Sequence, residues 1–171
     1  MTGLACTGAI AVAAGAHARK ATAAAPRIPA MPAQNESVVG RCPIPTRFRP
    51  AFERAARDTG FQLSMLVAVA QVESSFVPNA RSKADARGLL QVLPATAASF
   101  KLSADTPSSN VLAGARYLRL LLDRYSRTDL ALAAYNAGPT AVDQAGGAPW
   151  SETQTYIANV QQRWAALAGC A

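Results

Sequence analysis

Glu73 has a setting unlike that of an ordinary surface carboxylate in this 171-residue chain. It follows Leu66 by seven positions and Val69 by four, so on a helix it shares a face with apolar side chains. A carboxylate there either turns into a cleft or is costly to keep unpaired. Partial burial raises a carboxyl pKa and keeps its proton near neutral pH. That is the state a glycosidic leaving oxygen requires of a general acid. The plainer alternative is a glutamate near a helix end that reaches solvent. Asp85 is the only other acid between Glu73 and Pro94, and it lies beyond a turn.

The rest of the sequence narrows the chemistry by exclusion. The single histidine, His17, lies at Ala16-His17-Ala18, a small-x-small pattern that follows the apolar run Leu4–Ala16. Cleavage there would leave no histidine, removing Ser-His-Asp and Cys-His schemes and the common His-bearing zinc sites. No Lys or Arg precedes the apolar run, so either the true start lies further upstream or the run is not a signal peptide. The run is shorter than the ~20 residues of a spanning helix, so an exported chain without a stable membrane span is expected. Residues 1–18 are read as a signal peptide and 19–40, rich in Ala and Pro, as a linker or disordered segment. Cys6 would leave with the leader. Cys42 and Cys170 would remain at opposite ends of the domain, either bridged or as two buried thiols. The even count favours a bridge, which would contribute ~4–5 kcal/mol in the chain-entropy model.

The elements that must position Glu73 read as short helices. A first spans about Thr46 or Pro50 to Thr59, stopped by Gly60. A second begins at Ser64, whose hydroxyl is expected to cap it, and carries Glu73 near its end. Pro94 opens a short helix ending near Phe100, and Asn110–Tyr125 forms a longer one with Leu118, Leu121 and Leu122 facing inward. Asp129 is expected to cap a helix through Ala134, with Gly138-Pro139 ending that region and starting another. Ser151 with Gln154 reads as a capping box for the last helix, which Gly169 closes. No convincing strand appears, and the fold class is all-α.

Four stretches in order, the first running from Glu73 to Ala97, carry a resemblance. Glu73-Ser74 is followed by Gly88-Leu89-Leu90-Gln91 and Pro94-Ala95-Thr96-Ala97. Asn110 with Gly114, Tyr117 and Leu118 comes next, then Ala134-Tyr135-Asn136-Ala137-Gly138, then Glu152-Thr153-Gln154-Thr155-Tyr156-Ile157. Together they resemble the soluble lytic transglycosylase family across roughly residues 41–160. That resemblance implies a lysozyme-like domain of the goose-type lysozyme and lytic transglycosylase kind over residues 41–171, with a glycan cleft. By position it makes Glu73 the catalytic acid and base and puts Ser82 and Gln91 along the cleft. It brings Tyr135 and Asn136 from the Ala-Tyr-Asn-Ala-Gly segment and has Glu152 and Tyr156 hold the far wall or the substrate. Taken singly, Tyr135 is a core aromatic, Gln91 a solvated amide and Glu152 a first-turn acid favoured by the helix dipole. Three positions depart from the family pattern. Leu90 replaces a Met, Asp85 stands where Gly is common, and Gln154 replaces an Arg.

The implied reaction cuts the MurNAc-β-1,4-GlcNAc bond of peptidoglycan and leaves 1,6-anhydroMurNAc ends, with one carboxyl as acid and then base. A hydrolytic muramidase, with Asp85 or Glu152 positioning water, is the rival on the same fold. A wall-binding or secretion-apparatus protein with a vestigial cleft is the rival from another class. Seventeen Lys and Arg against ten Asp and Glu give a net charge of +7, which serves solubility or attracts a polyanion. The basic residues look scattered along the chain and no nucleic-acid motif appears, so nucleic acid is not an expected partner. The expectation is a monomer acting on peptidoglycan glycan strands, periplasmic or extracellular, with no metal or organic cofactor implied and any secretion-machinery partner unspecified.

Overall fold

The computed structural model describes residues 40–171. The leader read at 1–18 and nearly all of the segment read at 19–40 lie outside the described residues. Seven α-helices follow a 3-10 turn at Thr46–Phe48. They are α1 (Arg49–Thr59), α2 (Leu63–Glu73), α3 (Pro94–Ser99), α4 (Pro107–Tyr125), α5 (Thr128–Ala137), α6 (Pro139–Ala145) and α7 (Ser151–Ala166). Among the described residues the only extended pairing is two isolated bridges, Arg81 with Arg87 and Arg87 with Val92.

α2 is the axis of the domain. Its residues Ser64–Ala70 are all buried, as a helix apolar around its whole circumference must be. α1 packs on one side of it and α7 on another, α4 joins α1 to α5, and α5 contacts both α6 and α7. Phe52 and Ala55 of α1, Leu118 and Leu121 of α4 and Leu132 of α5 fill the space between these helices.

Helix ends follow the expected glycines better than the expected caps. Gly60 takes φ 71° and its N–H bonds the Ala56 carbonyl, ending α1 as read from the sequence. Ser64 does not cap α2. The residue before the helix is Gln62, without a side-chain cap bond, and Ser64 is the second helical residue, buried against the core. Asp129 does not cap α5 either. It lies within the first turn and pairs with Arg127, and the helix runs on to Ala137. Ser151 is the first helical residue of α7 rather than its cap, and α7 ends at Ala166, three residues short of Gly169. α4 starts earlier than expected, with Pro107 in its first turn, so Asn110 lies inside the helix.

Cys42 and Cys170 form a disulfide across 128 positions, with Cα atoms 4.8 Å apart. Beside it the Cys42 N–H bonds the Ala171 carbonyl and the Ala171 N–H bonds that of Gly40. The two ends of the domain are thereby tied together.

Candidate active site

Glu73 is the last residue of α2, where the helix leaves its apolar surroundings. The next two residues, Ser75 and Phe76 after Ser74, take left-handed φ values of 50° and 62°. That is a costly conformation for a side chain as bulky as phenylalanine. The Phe76 ring meets Phe52 edge-on at 5.7 Å between centroids, which anchors the sharp turn behind the carboxyl.

Burial pushes the Glu73 carboxyl up to about 7, and a hydrogen bond from Tyr156 acts in the opposite direction. The negative end of the α2 macrodipole also favours the neutral form. The Tyr156 hydroxyl donates to Oε1 of Glu73 at 2.7 Å, across 83 positions of sequence. Burial and then the charge of Glu73 raise the hydroxyls of both Tyr156 and Tyr135 well above the usual phenol range, so both stay protonated donors.

Tyr135, on α5, donates instead to the Leu90 carbonyl at 2.7 Å. Its ring lies 5.5 Å from that of Tyr117 on α4. The Leu90 backbone belongs to a turn pinned from three directions. The Ser74 hydroxyl donates to the Leu89 carbonyl at 2.8 Å. Asn110, wholly buried in α4, accepts from the Leu90 N–H at 2.9 Å and donates to the carbonyls of Arg87 and Ala104. Gly114 makes this approach possible, since a Cβ there would lie 2.7 Å from the Leu90 side chain and 2.8 Å from the Tyr135 hydroxyl.

The residues expected along the cleft divide into two groups. Tyr156, Glu152 and Asn136 border one open groove of about 440 Å³, together with Val72, Thr155 and Asn159. Asn136 accepts from the Thr153 hydroxyl at 3.0 Å through its carbonyl oxygen, which leaves its NH2 group for the groove. Glu152 is exposed and makes no ion pair among the described residues. Ser82 and Gln91 behave differently, and neither hydrogen-bonds to Glu73. The Ser82 hydroxyl accepts the Ala86 N–H inside its own turn, and the Gln91 amide donates to the carbonyls of Ala80 and Gly88.

Of the departures, Leu90 is buried where a Met was expected, so the apolar wall is kept. Asp85 adopts φ 64°, in the left-handed region that a glycine enters without steric cost. Its carboxylate accepts two bonds from Arg87 and lies 3.4 Å from Arg81, while Arg87 also bonds Asp105. The Arg87 guanidinium holds the Asp85 carboxyl below its ordinary value, and the added charge is absorbed locally. Gln154 stands exposed on α7. Sequence reading missed Ser74 and Asn110 as clamps. The available signal was an amide standing where a buried helix face needs every polar group paired.

An all-helical domain whose central helix ends in a largely buried carboxyl, held by a tyrosine that also borders a groove, defines a lysozyme-like class. The family model described as "Transglycosylase SLT domain" matches residues 50–157, and the chain belongs to that family. It is similar to an inactive mutant of the lytic transglycosylase Slt from Pseudomonas aeruginosa, at 29% identity and TM-score 0.62 over 70% of this chain and 23% of that one. The 70 kDa soluble lytic transglycosylase of Escherichia coli matches at 27% identity and TM-score 0.60, over 68% of this chain and 23% of that one. Membrane-bound lytic murein transglycosylase C of Histophilus somni is 35% identical over 116 residues, 56% of this chain and 32% of its own length. A transglycosylase of Enterobacteria phage PRD1 is 43% identical over 75 residues, 43% of this chain and 28% of its own. The chain thus spans about a quarter to a third of the curated relatives it matches.

Proposed function

We propose that this chain is a peptidoglycan lytic transglycosylase that cuts the MurNAc-β-1,4-GlcNAc bond and leaves 1,6-anhydroMurNAc ends, with Glu73 as its single acid and base. The observation that carries this reading is the largely buried Glu73 carboxyl, raised to about 7 and held through one oxygen by Tyr156. Such a group keeps its proton at neutral pH and presents it from the other oxygen.

In the proposed reaction Glu73 protonates the bridging oxygen as the bond to the MurNAc C1 breaks, with the N-acetyl group of that sugar assisting at C1. The Glu73 carboxylate then takes the proton of the same sugar's C6 hydroxyl, and the C6 oxygen bonds C1. The carboxyl is regenerated and no water is consumed, so a second carboxylate is unnecessary, unlike in the usual two-carboxylate glycosidases. Tyr156 limits how far burial raises Glu73, and Tyr135 steadies the turn that carries Leu90. Asn136, Glu152, Thr155 and Asn159 offer hydrogen-bonding groups to the sugar hydroxyls and acetamido groups. Ser82 and Gln91 shape the turn on the other side through their bonds to its backbone.

Export, with residues 41–171 as the catalytic domain, is part of the same proposal. The Cys42–Cys170 disulfide supports it, because such bonds persist in oxidising compartments. The hydrolytic reading is kept alive by one observation, the unpaired Glu152 in the groove with Tyr156. Product masses from purified protein on sacculi decide between them. Anhydro ends are expected, and products heavier by one water would establish hydrolysis. Glu73→Gln is expected to fold and to lose cleavage; an active Glu73→Gln protein would remove the mechanism.

A further inference from the structure

Most of the described arginines, which look scattered in sequence, are collected by the fold on one pair of helices and their lead-in. Among the described residues, eight arginines fall on the 41–59 segment and α4, against the three carboxylates Glu53, Asp58 and Asp123. Elsewhere among the described residues six cations meet six carboxylates, so their formal positive excess lies on α1, its lead-in and α4. The groove bordered by α2, α5 and α7 has no share in it.

α1 and α4 present this charge as one surface. Arg116 bonds both carboxylate oxygens of Asp58 at 2.9 Å, and Arg54 acts on the same carboxylate through its charge. The Arg119 guanidinium lies 5.4 Å from the centre of the Phe61 ring, just past the end of α1. Arg119 and Arg124 are paired with Asp123 and Asp143. Arg47, Arg54 and Arg57 are exposed and have no carboxylate in ion-pair reach among the described residues. Leu120 stands one helical turn from Arg116 and one from Arg124, and it is 50% exposed. A large apolar side chain among guanidinium groups suits a surface that offers both phosphate and hydrocarbon. A hydrated polyanion such as a sugar-phosphate polymer or a nucleic acid gives Leu120 no apolar phase to enter. No helix among the described residues is long and apolar enough to cross a membrane.

We propose that the α1–α4 face docks this domain on an anionic lipid bilayer, with Arg47, Arg54, Arg57 and Arg116 against headgroup phosphates and Leu120 at the acyl boundary. The proposal goes beyond the glycan reading and does not depend on it. Docking would hold the domain at a bilayer surface while leaving the groove's own residues unengaged.

The test is co-sedimentation of the full chain with vesicles of mixed phosphatidylglycerol and phosphatidylcholine, and with phosphatidylcholine alone. Binding to the mixed vesicles that weakens steeply with added salt is expected, with little binding to the neutral ones. The combined change Arg47→Gln, Arg54→Gln and Arg57→Gln should lower partitioning on the order of 100-fold. Leu120→Ser alone should lower it roughly fivefold. Removing two cations elsewhere, Lys83→Gln with Lys101→Gln, should leave it unchanged. All these side chains are off the core, so thermal melts should match the parent protein. Arg54→Gln alone gives a graded second reading. Equal binding by parent and triple variant, equal binding to neutral vesicles, or retention on DNA through these arginines without vesicle binding would each overturn the proposal. Cleavage of sacculi in free solution should be the same for parent and triple variant, so a failed lipid test leaves the enzymatic reading standing, and the reverse.

Discussion

The two walls beside Glu73 spend their polar groups in opposite ways. On the side of the 87–91 turn, Asn110, Ser74, Tyr135 and the Gln91 amide are all bonded to backbone. On the α7 side, among the described residues, Glu152 carries no ion pair and Asn136 uses only its carbonyl oxygen. The first wall is braced because its side chains bond the backbone of the turn, and the second leaves more of its polar groups to exchange water for a ligand. Pre-organisation and recognition are thus divided between two surfaces that meet at one carboxyl.

The sharpest way to break this contrast is at the carboxyl itself. Glu73→Gln should lower cleavage about 10³-fold or more, read from anhydro products released from sacculi. It should also change stability in a pH-dependent way. The folded carboxyl titrates near 7 and the ordinary one near 4.5, so between those values the folded protein holds a proton that the unfolded chain has released. Stability of the parent should therefore fall as pH rises through that window, by on the order of 3 kcal/mol in total. Denaturation of Glu73→Gln should lack that fall, and identical pH dependence in the two proteins would refute the burial of the charge.

Next in size is the braced wall. Asn110→Ala would strand the Leu90 N–H and the carbonyls of Arg87 and Ala104, destabilising the fold by ~3 kcal/mol or more in urea titration. Smaller is Tyr156→Phe, which deletes the one bond that lowers the Glu73 pKa. The alkaline limb of its kcat/KM profile should move up in pH, and a downward move would contradict the assigned hydrogen bond. Smallest is Glu152→Gln on the open wall, expected to raise KM a few-fold with kcat nearly unchanged. A collapse of kcat in that variant would transfer the second carboxylate into the chemistry and favour hydrolysis.

The sequence revealed the α-helical order because proline and glycine punctuate it locally. Gly60, Pro94 and the Gly138-Pro139 pair mark ends or starts where the structure has them. Glu73 was legible for a similar reason, since a helix period places it beside Leu66 and Val69. The expected caps at Ser64, Asp129 and Ser151 failed because each residue sits one or two positions inside its helix, where tertiary packing sets the start. Less visible were the non-local bonds. Asn110 reaches back 20 positions to Leu90, and Tyr156 reaches 83 to Glu73. Residue identity says that such groups need partners and not which ones. The charge asymmetry was hidden in the same way, because α1 and α4 are adjacent in space and far apart in the chain.

The cystine near the two ends of the domain has an architectural meaning of its own. A module whose entrance and exit share one point can be spliced into a larger polypeptide, or hung from a tether, without its fold bearing the load. Pulling on residues 42 and 170 would stretch a covalent link rather than unzip helices. The groove should keep its shape under tension from a wall that is itself under strain.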